Sequence, residues 1–374
     1  MPKKRGSVKE KSLGIDRKLL GVALALTILG LIAVADASAP QAIATFDDKW
    51  FFFKQQFVWA VVGIVGMFVI SKIRYGFWEK YATPIFFANI LLLLAVLFPG
   101  LGTKVLGARR WLIIGPISIQ PSELIKLTGA IYFAKLASSE KSFWSYIVPL
   151  GLVSVLVMLQ PDLGTTVSFA FMAFVQIFLA GIDFLRLGAS AIVAGLAGLL
   201  LVVFSDYRRD RLLTYLDSMS DPLGKSYHIR QILLALGSGG LFGVGLGRSR
   251  QKFLFLPESA TDSIFAVIGE ELGFVGLLVL ISLLVFFVMR GLKIASLAPD
   301  TFAKVLAAGI VAWIGGQALL NMAAVVALVP LTGIPMPFFS YGGSALVTVL
   351  FGTGILLSIS RNGKVHQKIP RKRR

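Results

Sequence analysis

Ten stretches of this chain are each about as long and as apolar as a bilayer core is thick, which leaves few folds open to it. They run approximately 17–36, 51–71, 83–99, 121–137, 144–161, 164–182, 186–204, 263–289, 303–329 and 342–360. A helix crosses the hydrocarbon with roughly 20 such residues. Inside lipid, each backbone N–H and C=O must be satisfied within a helix or around a closed barrel. Barrel strands alternate in polarity at every second residue, whereas these stretches are continuously rich in Leu, Val, Ile and Phe. With 56% hydrophobic residues overall, the chain reads as all-α: one polytopic helical membrane domain of about ten transmembrane helices at 17–361. Basic tails at 1–16 and 362–374 flank it, and no separate soluble domain is expected.

Several chemistries are excluded at once. The chain has no cysteine, so disulfides, thiolate catalysis and cysteine-ligated zinc are ruled out. Its two histidines, His228 and His366, are too few for a multi-histidine metal site. The basic head Lys3-Lys4-Arg5 precedes a span long enough to stay in the bilayer, so no cleaved signal peptide is expected. The net charge of +18 is not spread like a nucleic-acid surface. It sits in the two tails and in alternate short loops, at Lys72, Arg74 and Lys80, at Lys135 and Lys141, at Arg186, and at Arg290, Lys293 and Lys304. Ten spans place both termini on one side, and the positive-inside rule makes that side cytoplasmic. Attraction to anionic lipid accounts for the tails.

The opposite, outward connections are then 37–50, 100–120, 161–164, 205–262 and 330–341, and they hold nearly all the unusual sequence. The largest, 205–262 between spans 7 and 8, contains Tyr207-Arg208-Arg209-Asp210-Arg211, Gly237-Ser238-Gly239-Gly240 and Arg248-Ser249-Arg250-Gln251-Lys252. It ends in Leu256-Pro257-Glu258-Ser259-Ala260-Thr261-Asp262. A chain this apolar tolerates such a segment where it meets water, so chemistry is sought there. Residues 211–216 and 229–236 carry apolar groups at helical spacing, as short interfacial helices would. The glycine-dense run from Gly237 to Gly247 suits tight turns or a re-entrant segment; it lacks the G-K-[ST] and βαβ context of a nucleotide loop. Residues 335–344 read as a fixed outer turn, and no strong internal repeat is visible.

Four constellations could carry chemistry. Asp262 just precedes the eighth span, where partial desolvation suits a carboxylate to general-base work; Thr261 or Asp262 could equally cap the helix beginning at Ser263. Glu123 and Lys126 share one helical face at the start of the fourth span, as a structural pair or a functional one. Arg109-Arg110-Trp111 can hold a phosphate or anchor at the headgroup level. With Arg208, Arg209, Arg211, Arg248, Arg250 and Lys252 they make the outer surface cationic in patches, which suits a pyrophosphate. At least one of Glu270 and Glu271, inside the eighth span, should face a polar interior. His228 reads as polar filler.

Taken in order, these motifs resemble the SEDS family of multi-spanning cell-wall proteins. The matching stretches are Gly107-Ala108-Arg109-Arg110-Trp111, Gln120-Pro121-Ser122-Glu123-Leu124-Ile125-Lys126 and Gln160-Pro161-Asp162-Leu163-Gly164-Thr165, followed by 235–247, 256–273 and Ser340-Tyr341-Gly342-Gly343-Ser344. Tyr207 to Leu213 and Ser249-Arg250-Gln251-Lys252-Phe253 are more similar to the FtsW branch than to the RodA branch. Two features depart from that branch: Ser259-Ala260 stands where Ala-His is common, and Ile334-Pro335-Met336-Pro337-Phe338 carries a RodA-like proline.

The resemblance implies a peptidoglycan glycosyltransferase of the bacterial plasma membrane that polymerises lipid II. The donor is a growing glycan on undecaprenyl pyrophosphate, and the new β-1,4 bond forms with inversion. It implies Asp262 as general base for the acceptor hydroxyl, and Glu123 and Lys126 as the polar pair of a central cavity. Arg109, Arg110, Glu258 and Lys252 are expected to bind substrate. No tightly bound cofactor is implied; a divalent cation (Mg or Mn) would be held loosely with help from Glu258. The implied partners are a class B penicillin-binding transpeptidase and other divisome membrane proteins, at the division septum, with no nucleic acid. A lipid II flippase, an elongation polymerase of the RodA type and an inactive scaffold are the competing readings.

Overall fold

In the computed structural model, residues 14–105, 108–115, 117–203, 209, 227–253 and 255–363 are described. Gly107, Tyr207, Arg208, Asp210, the stretch 211–216 and the tail residues 1–13 and 364–374 lie outside the described residues. The helices are α1 (Arg17–Phe46), α2 (Phe51–Lys72), α3 (Gly76–Leu97), α4 (Pro121–Ser138), α5 (Phe143–Leu159), α6 (Leu163–Leu179), α7 (Phe184–Val203), α8 (Tyr227–Gly239), α9 (Ile264–Ser296), α10 (Thr301–Val325) and α11 (Gly343–Asn362). Each of the ten apolar stretches overlaps one of them, all but α8. By length and composition, α1, α2, α3, α9, α10 and α11 can each cross a membrane; α5, α6 and α7 are shorter apolar helices. The stretch 229–236 lies within α8.

Two elements differ from the sequence expectation. Helix α1 runs on past residue 36 to Phe46 through Pro40, because the Ala-rich sequence there continues to favour helix. At about 1.5 Å per residue it outreaches the hydrocarbon core, so residues 37–46, expected in a connection, continue the helix that carries Asp36. Residues 100–120 are not a plain loop either. They form a three-stranded antiparallel sheet, β1 (Gly102–Val105), β2 (Ala108–Ile114) and β3 (Ile117–Ile119), in order β1-β2-β3. The Trp and Ile residues of β2 favour strand, and the ladder satisfies backbone groups beyond the helix ends.

Helices α4, α10 and α11 are the most buried. Helix α10 packs on α4, α6 and α9, while α11 lies against α2. Glycines permit close approach in the second pair: a Cβ on Gly63 would strike Leu350, and one on Gly354 would crowd Met67 and Ile70. Small residues serve this purpose where lipid supplies no hydrophobic drive between helices. Leu91, Val148 and Ile192 face outward, as lipid-contacting residues do.

Helix direction gives the bundle two distinct ends. The start of α1 meets the ends of α9 and α11, where Asp16 pairs with Arg290 and its N–H donates to Ser360 Oγ at 3.1 Å. At the opposite end stand the starts of α4, α9 and α11, the sheet, and the segment 330–342. Helix α9 is broken at Gly273 (φ 66°, ψ −168°). The turn after α8 fills that break: Phe274 and Val275 donate to the carbonyls of Gly240 and Leu241 at 2.9 and 3.1 Å. Val244 and Gly245 donate to those of Glu270 and Glu271, each at 3.0 Å. A Cβ on Gly239 or Gly243 would collide with the α9 backbone, so the glycine run is a close backbone-to-backbone contact.

Candidate functional site

Glu123 stands in the first turn of α4, after Pro121 at its start, where the helix dipole favours a carboxylate. One turn on, Lys126 donates to both Glu123 oxygens at 2.7 and 2.8 Å and to Gln317 Oε1 on α10 at 2.7 Å. All three ammonium protons therefore have acceptors. Glu123 is 1% exposed and Lys126 0%. The ammonium also lies 5.5 Å from the centre of the Trp313 ring, and Trp313 Nε1 donates to Gln317 Oε1 at 2.9 Å. A buried ion pair is tolerable with its remaining hydrogen-bonding capacity filled, and this one is so filled.

Gln317 continues the network toward Asp262. Its Nε2 donates to the Pro335 carbonyl at 2.8 Å. Asn321, one helical turn further along α10, donates from Nδ2 to the carbonyls of Ile334 and Asp262 at 2.8 and 2.9 Å. The half-buried Asp262 is thus fixed through its own backbone. Neighbouring groups add to this hold. Tyr341 N–H donates to the Ala260 carbonyl at 2.8 Å, and Ser340 Oγ to that of Thr261 at 2.5 Å. Ser259 Oγ reaches the Ala37 carbonyl at 3.3 Å.

Asp262 does not cap α9. The cap position belongs to Ser263, whose side chain makes no capping hydrogen bond and instead meets His228 Nε2 at 2.8 Å. Asp162, by contrast, caps α6 by accepting from Thr165 N–H at 3.0 Å. His228, which reads as filler in the sequence, is therefore placed one residue from Asp262. Exposed Glu258 has a left-handed backbone (φ 51°), and its Oε2 accepts from Thr261 Oγ1 at 2.7 Å. The same hydroxyl lies 3.5 Å from Asp262 Oδ1.

The two arginines of β2 part company. The ladder shifts register between Thr103 and Lys104, whose partners are Trp111 and Arg109; Arg110 is the extra residue of a bulge, which re-aims a side chain. Its Nε donates to the Gln160 carbonyl at 2.9 Å, and its Nη2 donates to that of Pro161. Arg110 thereby ties the sheet to the α5–α6 turn. Arg109 is half-buried on β2 opposite Lys104.

Lys252 is not available to a substrate. It is 4% exposed and donates to Asp36 Oδ1 and Oδ2 at 2.7 and 2.8 Å and to Glu271 Oε1 at 2.7 Å. Glu271 also accepts from the N–H groups of Gly247 and Ser249 at 3.0 and 3.1 Å. Glu270 accepts from Ser249 Oγ at 2.5 Å and Arg250 N–H at 2.9 Å. Both acids are buried and both bind the folded-back loop, so the Lys252 charge is consumed inside the fold.

Sequence reasoning passed over Asp36, Gln317 and Asn321, and met Ser340 only within a motif of the outer turn. Gln317 and Asn321 did carry a signal: two amides four residues apart in an apolar span must share an inward face. Among the described residues, no three of Asp, Glu and His come together in a way that could hold a metal.

The fold and this geometry define a polytopic helical membrane protein with a buried ion pair and a backbone-anchored acid at one end of the bundle. Residues 16–365 match the cell cycle protein family of FtsW, RodA and SpoVE, and the chain belongs to that family. It is 40% identical over 358 residues to a probable peptidoglycan glycosyltransferase FtsW of Trichlorobacter lovleyi, covering 94% of each chain. It is 42% identical over 358 residues to stage V sporulation protein E of Bacillus subtilis, covering 92% of this chain and 97% of that one. A solved chain of a peptidoglycan synthase complex, described for its coordination of polymerization and crosslinking, superposes with a TM-score of 0.77 at 28% identity. That match covers 93% of this chain and 98% of the other. The rod shape determining protein RodA of Thermus thermophilus matches with a TM-score of 0.69 at 27% identity over 93% and 97%.

Proposed function

We propose that this protein is a peptidoglycan glycosyltransferase that polymerises lipid II at the outer leaflet, for septal wall synthesis in division. The observation that carries this reading is the placement of Asp262. The residue is half-buried at one end of the bundle, its side chain does not cap α9, and its backbone carbonyl is held by Asn321, one turn from the amide that holds the Glu123–Lys126 pair. In this role Asp262 takes the proton of the acceptor 4-hydroxyl of lipid II as that oxygen attacks the anomeric carbon of the donor glycan. Undecaprenyl pyrophosphate leaves from the opposite face, so the centre inverts. Arg109 lies on the cationic side of this end and neutralises charge on the leaving pyrophosphate; Arg110 chiefly holds the sheet in place.

Glu258, whose Oε2 accepts from the Thr261 hydroxyl, is the side chain that would help hold a divalent cation (Mg or Mn). A single carboxylate suits Mg only in company with substrate phosphates and water, where the ion would neutralise pyrophosphate charge. The partner proposed is a class B penicillin-binding transpeptidase, since a glycan polymerised here still needs crosslinking. Other divisome membrane proteins would regulate the pair.

The test is lipid II polymerisation by the protein co-purified with its transpeptidase, wild type against Asp262→Asn. A positioned general base contributes about 10²–10⁴ in rate, so the variant should make almost no glycan while folding normally. Equal polymerisation by both would remove Asp262 from the role. Lipid II translocation across liposomes by a wild type that polymerises nothing would make the protein a flippase.

A further inference from the structure

At the end of the bundle remote from Asp262, the start of α1 and the ends of α9 and α11 enclose a cavity of about 690 Å³. Among the described residues, its lining carries Arg17, Lys18, Arg290 and Lys293 against a single carboxylate, Asp16. That carboxylate is already committed. Its Oδ1 accepts from the N–H groups of Lys18 and Leu19 at 3.1 and 2.9 Å, capping α1, and its Oδ2 accepts from Arg290 Nη2. Arg290 Nε is buried and has no hydrogen-bond partner among the described residues. Buried donors of this kind are rare in folded proteins, and this one borders a cationic cavity.

We propose that this cavity binds the phosphate headgroup of an anionic phospholipid. Guanidinium and ammonium groups are the usual partners of phosphate, and basic pockets between spanning helices hold such headgroups. Ile15, Ile294, Leu297 and Ile359 form an apolar wall beside the cations, which a lipid's glycerol and acyl portion would use and a soluble anion would not. The chain's own tails are unsuited as occupants. Residues 1–13 and 364–374 carry many Lys and Arg residues and one acid, Glu10, so their charge has the same sign as the cavity's. The ends of α1, α9 and α11 belong to apolar helices long enough to cross a membrane, which puts the cavity at the headgroup level of one leaflet. Bound there, the lipid would pin three helix ends together. None of these residues belongs to the candidate glycosyltransferase site, so the two proposals stand or fall separately.

The experiment follows thermal unfolding of the full-length protein in a neutral detergent during titration with phosphatidylglycerol, phosphatidylcholine or inorganic phosphate. A ligand that binds the folded state raises the midpoint. Phosphatidylglycerol should raise it for the wild type and phosphatidylcholine should not. The Lys18→Gln/Lys293→Gln variant, which leaves the Asp16–Arg290 pair intact, should bind phosphatidylglycerol about thirtyfold more weakly, from the loss of two cations. If that variant does not fold, Lys293→Gln alone serves, with retained lipid counted by native mass spectrometry. An unchanged shift in the variant would assign the lipid to the basic tails and overturn the proposal. A comparable shift with phosphatidylcholine would do so by removing the role of charge. Stabilisation by inorganic phosphate equal to that by phosphatidylglycerol would make this a soluble-anion site instead.

Discussion

Asn321 Nδ2 lies 2.9 Å from the backbone carbonyl of Asp262, so an amide on α10 holds the main chain of the candidate base and leaves its carboxylate out of the contact. The same amide grips Ile334 at 2.8 Å, which joins the start of α9 to the segment before α11. In the proposed reaction, positioning and proton transfer would then fall to different residues.

Replacing Asn321 with Leu should consequently lower polymerisation while Asp262 is still present. Each carbonyl left buried without its donor costs about 1–3 kcal/mol, and a displaced base loses rate steeply with distance. A fall in kcat of about tenfold or more with nearly unchanged KM is expected from steady-state polymerisation assays. A variant that unfolds at the wild-type temperature and polymerises at the wild-type rate would show that Asp262 is held in place without Asn321.

The Glu123–Lys126 pair should behave as a buried unit. Lys126→Met strands Glu123 in the interior and should destabilise by about 3–5 kcal/mol, whereas the double variant Glu123→Gln/Lys126→Met removes both charges and should recover much of that loss. If the pair also orients substrate, activity will not return with stability. Thermal unfolding and polymerisation, measured on the same three variants, separate the two contributions.

Two aspartates at helix starts should respond differently to neutralisation. Asp162 caps α6 through Thr165, so Asp162→Ala should cost about 1 kcal/mol as well as the contact with Thr165 Oγ1 at 2.8 Å. Asp262 precedes the cap residue of α9, so Asp262→Asn should spare the helix start and lower polymerisation far more than it lowers the unfolding midpoint. A large loss of stability in the second variant would show that Asp262 has a structural role.

For Lys252 the expected defect is in folding. Lys252→Met leaves Asp36 and Glu271 facing one another and should destabilise by about 3–5 kcal/mol, with lowered yield of folded protein. Were the ammonium a substrate ligand, the fold would survive and KM would rise. Limited proteolysis within 240–251, where the loop is tied to α9, gives a local reading of the same effect.

Much of the architecture was legible in the residues themselves. Apolar length and the absence of alternation identify membrane helices, because lipid leaves backbone groups no partner outside the segment. The Glu123–Lys126 spacing likewise implies a shared face, since helical periodicity is local. The β-sheet at 102–119 was harder to see, because short strands outside an apolar span have only weak local preferences. Lys252 was misjudged for a different reason. A basic residue in a polar loop looks solvent-exposed until the chain folds back, and what buries it, Asp36 and Glu271, lies 216 and 19 residues away.

The sequence by itself determined that this chain is a helical membrane protein, which ends of its spans carry charge, and that it belongs with the cell-wall family its ordered motifs resemble. The first two follow from composition and local periodicity, the third from the resemblance of its motifs. The tertiary structure decided which partners those charged groups meet. Glu270 and Glu271 bind loop backbone, Arg110 binds a turn, Lys252 neutralises two acids, and Asp262 is held by its main chain. Each outcome depends on a partner distant in sequence, and the low dielectric of the interior makes that pairing obligatory once the groups are buried.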